Sequence, residues 1–167
     1  MRMLNVLFLC THNSARSILA EATLNHIGAG RFKAYSAGSS PRDNQQPNPL
    51  GLQALREAGI PTDGLRSKSW DEFATPDAPR MDLVITVCDN SAREQCPYWP
   101  GHPATAHWGY ADPSAVQGTD EDRLQAFRRT LAGIRHRLDL LLALPADGVE
   151  KLALQAHARA LCGEQPS

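Results

Sequence analysis

Hydrophobic positions along the chain alternate between short continuous runs and helical seams. Residues 4–9 (LNVLFL) are almost uninterruptedly apolar, the pattern of a strand covered on both faces. The polar stretch THNSARS follows at once. Ala15, Ile18, Leu19 and Ala22 then recur at helical spacing until Gly28 and Gly30 end the helix. Residues 32–36 form a second short strand, 38–49 (GSSPRDNQQPNP) a turn-rich surface loop, and 50–58 a helix stopped by Gly59 and Pro61. A short helix is expected over 69–74, a buried strand over 83–87 (LVITV), and another strand closing over 107–110. Leu124, Phe127, Leu131, Ile134, Leu138 and Leu141 step 3-4-3-4-3, which is the seam of a strongly amphipathic helix packed on the sheet. Asp147 and Glu150 have capping-box-like spacing before a last helix that runs to about residue 161. Strands alternating with helices imply an α/β fold, a doubly wound domain around a central parallel sheet. With no repeat and no linker, residues 1–167 read as a single domain.

Composition narrows the function. The 167 residues are 42% hydrophobic, a share that argues against a disordered chain. The formal net charge is −1 and the basic residues do not cluster, so nucleic-acid binding has no electrostatic support. No apolar run approaches the roughly 20 residues that span a membrane. The opening apolar run ends in a polar loop without a small-residue cleavage site, so it reads as a strand of a cytoplasmic protein and not as a signal peptide. The chain has four cysteines, Cys10, Cys88, Cys96 and Cys162. In a reducing cytosol, thiol chemistry is the better expectation for cysteines in polar, turn-rich settings than structural disulfides. No C-x2-C pair is present to suggest zinc, and no metal site is expected.

The strongest chemical signal is Cys10-Thr11-His12-Asn13-Ser14-Ala15-Arg16-Ser17, a C-x5-R-S loop between a strand and a helix. A loop leaving a strand and entering a helix points several backbone N–H groups into one concavity, and the helix N-terminus adds about half a positive charge. Such a nest binds tetrahedral oxyanions. Arg16 can add a bidentate fork to two oxygens. The same field lowers the thiol pKa of Cys10 and favours a nucleophilic thiolate. Asn13 and Ser14 are expected to brace the loop, and Ser17 to donate to the thiolate. His12 reads as an exposed or loop-bracing residue, with little to support a base. By itself C-x5-R is weak; the flanking strand and helix and the adjacent Ser make it specific.

Residues 83–87 deliver Cys88 to a strand end, which in a parallel sheet lies on the same edge as Cys10. Cys96 follows eight residues later, before Pro97. Were 88–96 one continuous helix, the two Cα atoms would be about 12 Å apart, whereas a disulfide needs roughly 4.4–6.8 Å. The segment is therefore looped or must rearrange if these cysteines pair; the alternative is two ordinary buried thiols. Cys162 reads as a bystander. In His107-Trp108-Gly109-Tyr110-Ala111-Asp112-Pro113 one carboxylate sits in a proline-fixed turn. Asp112 is the candidate general acid for a leaving oxygen, and otherwise a turn initiator.

Taken together, VLFLCTHNSARS, YSAG at 35–38, VITVC followed by Cys96-Pro97, and HWGYADP resemble the arsenate reductases built on the low-molecular-weight tyrosine phosphatase fold, in particular their thioredoxin-coupled branch. The resemblance runs over about residues 5–141. It implies a four-stranded parallel sheet flanked by helices, a phosphatase-like core over 1–145 and an additional C-terminal helix over 146–167. It implies arsenate as substrate, with Cys10 as nucleophile, Arg16 as oxyanion ligand, Asp112 as general acid, and Cys88 and Cys96 as the redox relay. No cofactor would be bound, the protein would act as a monomer, and an external thiol reductant, thioredoxin or else glutaredoxin, would regenerate it. Some details depart from the pattern. Ala15 stands where members commonly carry a second loop cysteine, and the Cys88–Cys96 spacing is one residue longer than in the best-known members. Some members bind potassium through Asn, Glu, Ser and Asp. Asn13, Glu21 and Ser36 match, but the Asp position falls at Ser69 or Lys68, and Lys68 supplies its own charge. The rival activities are a phosphotyrosine phosphatase, which would lack an aromatic grip because Ser114 and Ala115 follow Pro113, and a non-catalytic oxyanion or redox sensor.

Overall fold

Strand β1 (Leu4–Cys10) sits at the centre of the molecule. The computed structural model describes residues 3–10, 12–39, 44–87, 104–110 and 112–143, with 104–107 as backbone. Along β1, Val6, Phe8 and Cys10 enter one hydrophobic cluster while Leu7 and Leu9 enter a second on the opposite face. Its continuous apolar sequence thus reflects burial on both sides.

Four parallel strands lie in the order β2-β1-β3-β4, with β2 over Phe32–Gly38, β3 over Leu83–Thr86 and β4 over Ala104–His107. The register aligns Cys10 with Gly38, Leu9 with Thr86, and Thr86 with His107, so the carboxyl ends share one edge. The chain leaves β1 for β2 on one side and later returns to form β3 on the other. The loop after Cys10 therefore opens at the topological switch point, where α/β sheets bind ligands.

Helices α1 (Arg16–Ile27), α2 (Pro49–Glu57) and α3 (Asp120–Leu142) pack on one another. Helix α1 buries Ser17, Ile18, Leu19, Ala20, Ala22, Thr23 and Leu24, and so is enclosed on most sides. The six residues of the 3-4-3-4-3 seam of α3, Leu124 to Leu141, are all buried. A Cβ added to Gly51 would lie 3.4 Å from the ring of Phe127, so this glycine lets α2 and α3 approach closely. The N-terminus of α3 is held by a reciprocal capping box between Thr119 and Asp122.

The expected strand over 107–110 lies earlier than anticipated. It occupies Ala104–His107, and Trp108 and Tyr110 follow it as a strap. Strand β2 runs to Gly38, beyond the expected end at residue 36, and the short helix near 69–74 is a 3-10 turn over Trp70–Phe73 capped by Ser69. Thr11, Cys88, Cys96, Cys162, the Asp147–Glu150 cap and the C-terminal helix lie outside the described residues. Among the described residues no helix is long and apolar enough to cross a membrane.

Candidate active site

Cys10 is the last residue of β1 and is buried. The loop beyond it must turn sharply into α1. Asn13 provides the turn with φ 56°, a left-handed conformation that asparagine tolerates better than most residues. Its side chain, fully buried, is an internal brace. Nδ2 donates to Ser17 Oγ at 2.8 Å, and Oδ1 accepts from the Lys68 backbone N–H at 2.9 Å. Because the Ser17 hydroxyl accepts from Asn13, its own proton must be directed at another acceptor, which is what donation to a neighbouring thiolate requires. Ser14 contributes through its backbone, its carbonyl accepting from Asn48 N–H at 2.8 Å. His12 is half-buried.

The N-terminus of α1 differs from every other described helical start. Asn48, Ser69, Asp112 and Thr119 each cap theirs with a side-chain acceptor, but Ala15 offers none and no acidic residue lies in the first turn of α1. No cap side chain therefore meets the N–H groups of that turn, the kind of helix start at which anions bind. Arg16 brings a donor without a partner. Nη1 donates to the Tyr110 carbonyl at 2.9 Å, whereas Nε is buried and has no hydrogen-bond partner among the described residues. A buried unpaired guanidinium N–H is costly unless a ligand meets it. With Nη1 anchored, the Nε/Nη2 edge remains as the fork for an oxyanion.

Asp112 lies beside that edge, its Oδ2 3.8 Å from Arg16 Nη2. Its other oxygen, Oδ1, accepts from the Ser114 N–H at 2.9 Å and from the Ser114 hydroxyl at 2.7 Å. The residue is therefore both a turn initiator and a carboxyl group at the mouth of the loop. Flanking the loop is a cavity of about 380 Å³, lined by Ser14, Asn44, Gln45, Gln46, Pro47, Asn48 and Pro49. Amide side chains, prolines and Ser14 make up its wall among the described residues, with no aromatic ring among them.

Beneath the loop lies a buried charged cluster. Lys68 Nζ donates to the carbonyls of Ser36 and Arg66, each at 2.9 Å, and stands 3.9 Å from Glu21 Oε1. The Ser36 hydroxyl donates to the same Glu21 oxygen. Burial pushes the Glu21 carboxyl up, against the Ser36 hydrogen bond and the Lys68 charge. Burial likewise pushes the Lys68 ammonium down, against the charge of Glu21. An ammonium within reach of the Glu21 and Ser36 oxygens leaves no room for a potassium ion, so these residues do not fit one. The backbone of Lys68, holding Asn13, and the carbonyl of Tyr110, holding Arg16, are site components that the sequence did not reveal.

A family model described as low molecular weight phosphotyrosine protein phosphatase matches residues 5–158. The chain is 36% identical over 133 residues to an arsenate reductase of Bacillus subtilis (strain 168), covering 80% of this chain and 91% of the relative. It superposes on the crystal structure of an arsenate reductase from Archaeoglobus fulgidus DSM 4304 with TM-score 0.63 and 29% identity, covering 83% of this chain and 99% of the other. A low molecular weight protein tyrosine phosphatase from T. tengcongensis superposes with TM-score 0.66 at 22% identity, covering 83% and 97%, a likeness of fold alone. The chain belongs to the low molecular weight phosphotyrosine protein phosphatase family, among the arsenate reductases built on that fold.

Proposed function

We propose that this protein reduces arsenate to arsenite, with Cys10 as nucleophile and a thiol relay that carries the oxidation away. The observation that carries this reading is the buried Arg16 Nε, without a hydrogen-bond partner among the described residues, beside a first turn of α1 that no side chain caps. Both call for an anion with several oxygens, next in sequence to a buried thiol at a strand end.

Arsenate would sit in the nest of residues 11–17, two of its oxygens on the Nε/Nη2 edge of Arg16. The Cys10 thiolate attacks arsenic and forms the S–As bond. One oxygen leaves as water, its proton supplied by Asp112. Cys88 then attacks the Cys10 sulfur. The Cys10–Cys88 disulfide forms, the electron pair of the S–As bond stays with arsenic, and arsenic leaves as arsenite. Cys96 displaces Cys10 from Cys88, and an external dithiol reduces the Cys88–Cys96 bond. Thioredoxin is the reductant favoured by the paired cysteines, with glutaredoxin and glutathione as the alternative, in a reducing cytosol.

The test is arsenate-dependent NADPH consumption with thioredoxin and its reductase, set beside glutaredoxin with glutathione and beside hydrolysis of p-nitrophenyl phosphate. Turnover with arsenate and slow aryl phosphate hydrolysis are expected. The reverse ranking would make the protein a phosphatase, a reading disfavoured by the amide-lined cavity and by Ser114 and Ala115 after the Asp-Pro turn.

A further inference from the structure

We propose that Arg137, on α3 against the rings of the strap, is a positioning residue that fixes which edge of Arg16 meets the oxyanion. The inference deepens the reading of Arg16 as the oxyanion ligand and rests on it. The strap of Trp108, Gly109 and Tyr110 leaves β4, and its backbone is tied to β3 by Trp108 N–H to Thr86 O at 2.7 Å and Tyr110 N–H to Val87 O at 3.3 Å. What those bonds leave undetermined is the tilt of the Tyr110 peptide, and the carbonyl of that residue is the acceptor for Arg16 Nη1 at 2.9 Å.

The ring of Tyr110 is held from α3. The Arg137 guanidinium carbon lies 5.3 Å from the Tyr110 ring centroid and 5.9 Å from that of Trp108, within cation–π range of both. Trp108 is itself buried and leans on Phe8 of β1, their centroids 6.3 Å apart. The Tyr110 hydroxyl makes a long bond of 3.4 Å to the Gly133 carbonyl, one turn earlier on α3. A Cβ at Gly133 would be 3.5 Å from the Tyr110 ring, so the phenol lies directly on the helix surface there.

A chain of contacts therefore runs from α3 through Arg137 and Tyr110 to Arg16 Nη1. Holding Nη1 is what turns the Nε/Nη2 edge, with Asp112 at its side, toward the nest. Without Arg137 the two rings lose a shared cation, the Tyr110 carbonyl is less well fixed, and Arg16 spends part of its time in other orientations. Anion affinity then falls, while the thiol of Cys10, set by the loop and the α1 terminus, keeps its reactivity.

The experiment follows alkylation of the Cys10 peptide by iodoacetamide, read by mass spectrometry, at rising inorganic phosphate. This readout needs neither arsenate turnover nor an electron donor. Arg137→Met is expected to raise the half-protecting phosphate concentration roughly five- to tenfold, the order of one lost partly desolvated cation–π contact. The phosphate-free alkylation rate and the melting temperature should stay near wild type. Arg137→Lys, which keeps the charge but not the planar stack, should fall between, and Arg135→Met, exposed on the same helix, should not differ from wild type. Unchanged protection in Arg137→Met, or a loss that merely tracks lower thermal stability or altered phosphate-free alkylation, overturns the proposal. Should Arg137→Met not fold, wild-type protection in Arg137→Lys overturns it instead. Arg16→Lys separates the premises. If it protects normally, the role of Arg16 itself is wrong. If it fails to protect while Arg137→Met protects normally, only the role of Arg137 is wrong.

Discussion

The carboxylate of Asp112 and the guanidinium of Arg16 face each other at 3.8 Å across the mouth of the oxyanion loop, brought together from the turn after the strap and from the start of α1. In the proposed mechanism this proximity would couple binding to proton delivery, because an oxygen held by Nη2 would lie beside the carboxyl group. Asp112→Asn should slow formation of the Cys10–arsenate adduct by about 10²–10⁴-fold, the usual contribution of a general acid. Equilibrium binding of phosphate or sulfate should be spared, since the proton moves only in the transition state. Single-turnover rates equal to wild type would reduce Asp112 to the cap of its 3-10 turn.

Arg16→Lys tests the other partner. A lysine can reach the anion as a point charge but cannot supply two parallel N–H donors, nor hold the Tyr110 carbonyl with one group while offering an edge with others. Arsenate affinity and turnover should both fall severely. Cys10→Ser should abolish reduction with the fold intact, because a serine hydroxyl is a poor nucleophile at neutral pH. Circular dichroism and urea unfolding would verify the fold, and appreciable turnover would remove Cys10 from its role.

The internal brace gives a stability prediction. Asn13→Ala leaves the Lys68 N–H without its acceptor and the Ser17 hydroxyl without its donor, at about 1–3 kcal/mol. It also puts an alanine in a left-handed conformation, at about 1–2 kcal/mol. Asn13→Gly incurs only the first loss in the folded state. Urea unfolding should rank wild type above Asn13→Gly above Asn13→Ala. Equal losses in the two variants would mean that the backbone conformation of this position contributes nothing.

How much of this was legible in the sequence depends on the range of each interaction. The seam of α3 and the strand-loop-helix around Cys10 were readable because their signals are local: periodicity, an apolar run, a polar break. The strand β4 ends short of the expected 107–110 because Trp108 and Tyr110, aromatic residues of a kind common in strands, turn their rings to the core and to α3 beyond the end of the strand. The capping box of α3 carries a local signal, Thr119 three residues before Asp122, of the same kind as the spacing at Asp147 and Glu150. The bond of Lys68 N–H to Asn13 and that of Arg16 to the Tyr110 carbonyl join residues far apart in sequence and involve backbone atoms, which carry no residue signature. Only the charge of Lys68 in the place of an expected acid hinted at the cluster below the loop.

That cluster predicts a pH dependence. The Lys68 and Glu21 side chains are 8% and 16% exposed, so removing one leaves the other charge uncompensated in a buried site, at about 3–5 kcal/mol. In Lys68→Met the Glu21 carboxyl, already raised by burial, loses an opposing charge and rises further. A raised carboxyl in the folded state means that the unfolded chain releases its proton first. The variant should therefore be most stable at low pH and lose stability as pH rises through the Glu21 titration. The gap in urea midpoint between wild type and Lys68→Met should widen from pH 4.5 to 7.5, and Glu21→Gln added to Lys68→Met should close much of it. A gap independent of pH would show that Lys68 does not compensate Glu21. Because the ammonium fills the place of a cation, wild-type turnover should be equal in potassium and sodium buffers of the same ionic strength.

The relay separates a reductase from a phosphatase most sharply. Hydrolysis of a phosphate ester needs Cys10, Arg16 and Asp112 only; arsenate reduction with a dithiol donor also needs two further thiols, each able to approach the sulfur it attacks in line. Val87, the residue before Cys88 in sequence, is the last described residue after β3, and its N–H bonds the carbonyl of Leu9, the neighbour of Cys10, at 2.8 Å. That neighbourhood supports a first attack by Cys88 on the Cys10 adduct. Cys96 must then come to Cys88, and a helical run of eight residues would hold them about 12 Å apart, so the oxidised form requires 88–96 to be irregular or to unwind. After arsenate is added without reductant, mass spectrometry of wild type should find Cys88 linked to Cys96. Cys96→Ser should stop after one turnover with Cys10 linked to Cys88, and Cys88→Ser should retain Cys10 alkylation and its protection by phosphate while losing arsenite production. Cys162→Ser should behave as wild type. Repeated turnover by Cys96→Ser with thioredoxin alone would be incompatible with the three-cysteine sequence, and would point to a glutaredoxin-type donor attacking at Cys10 or Cys88 directly.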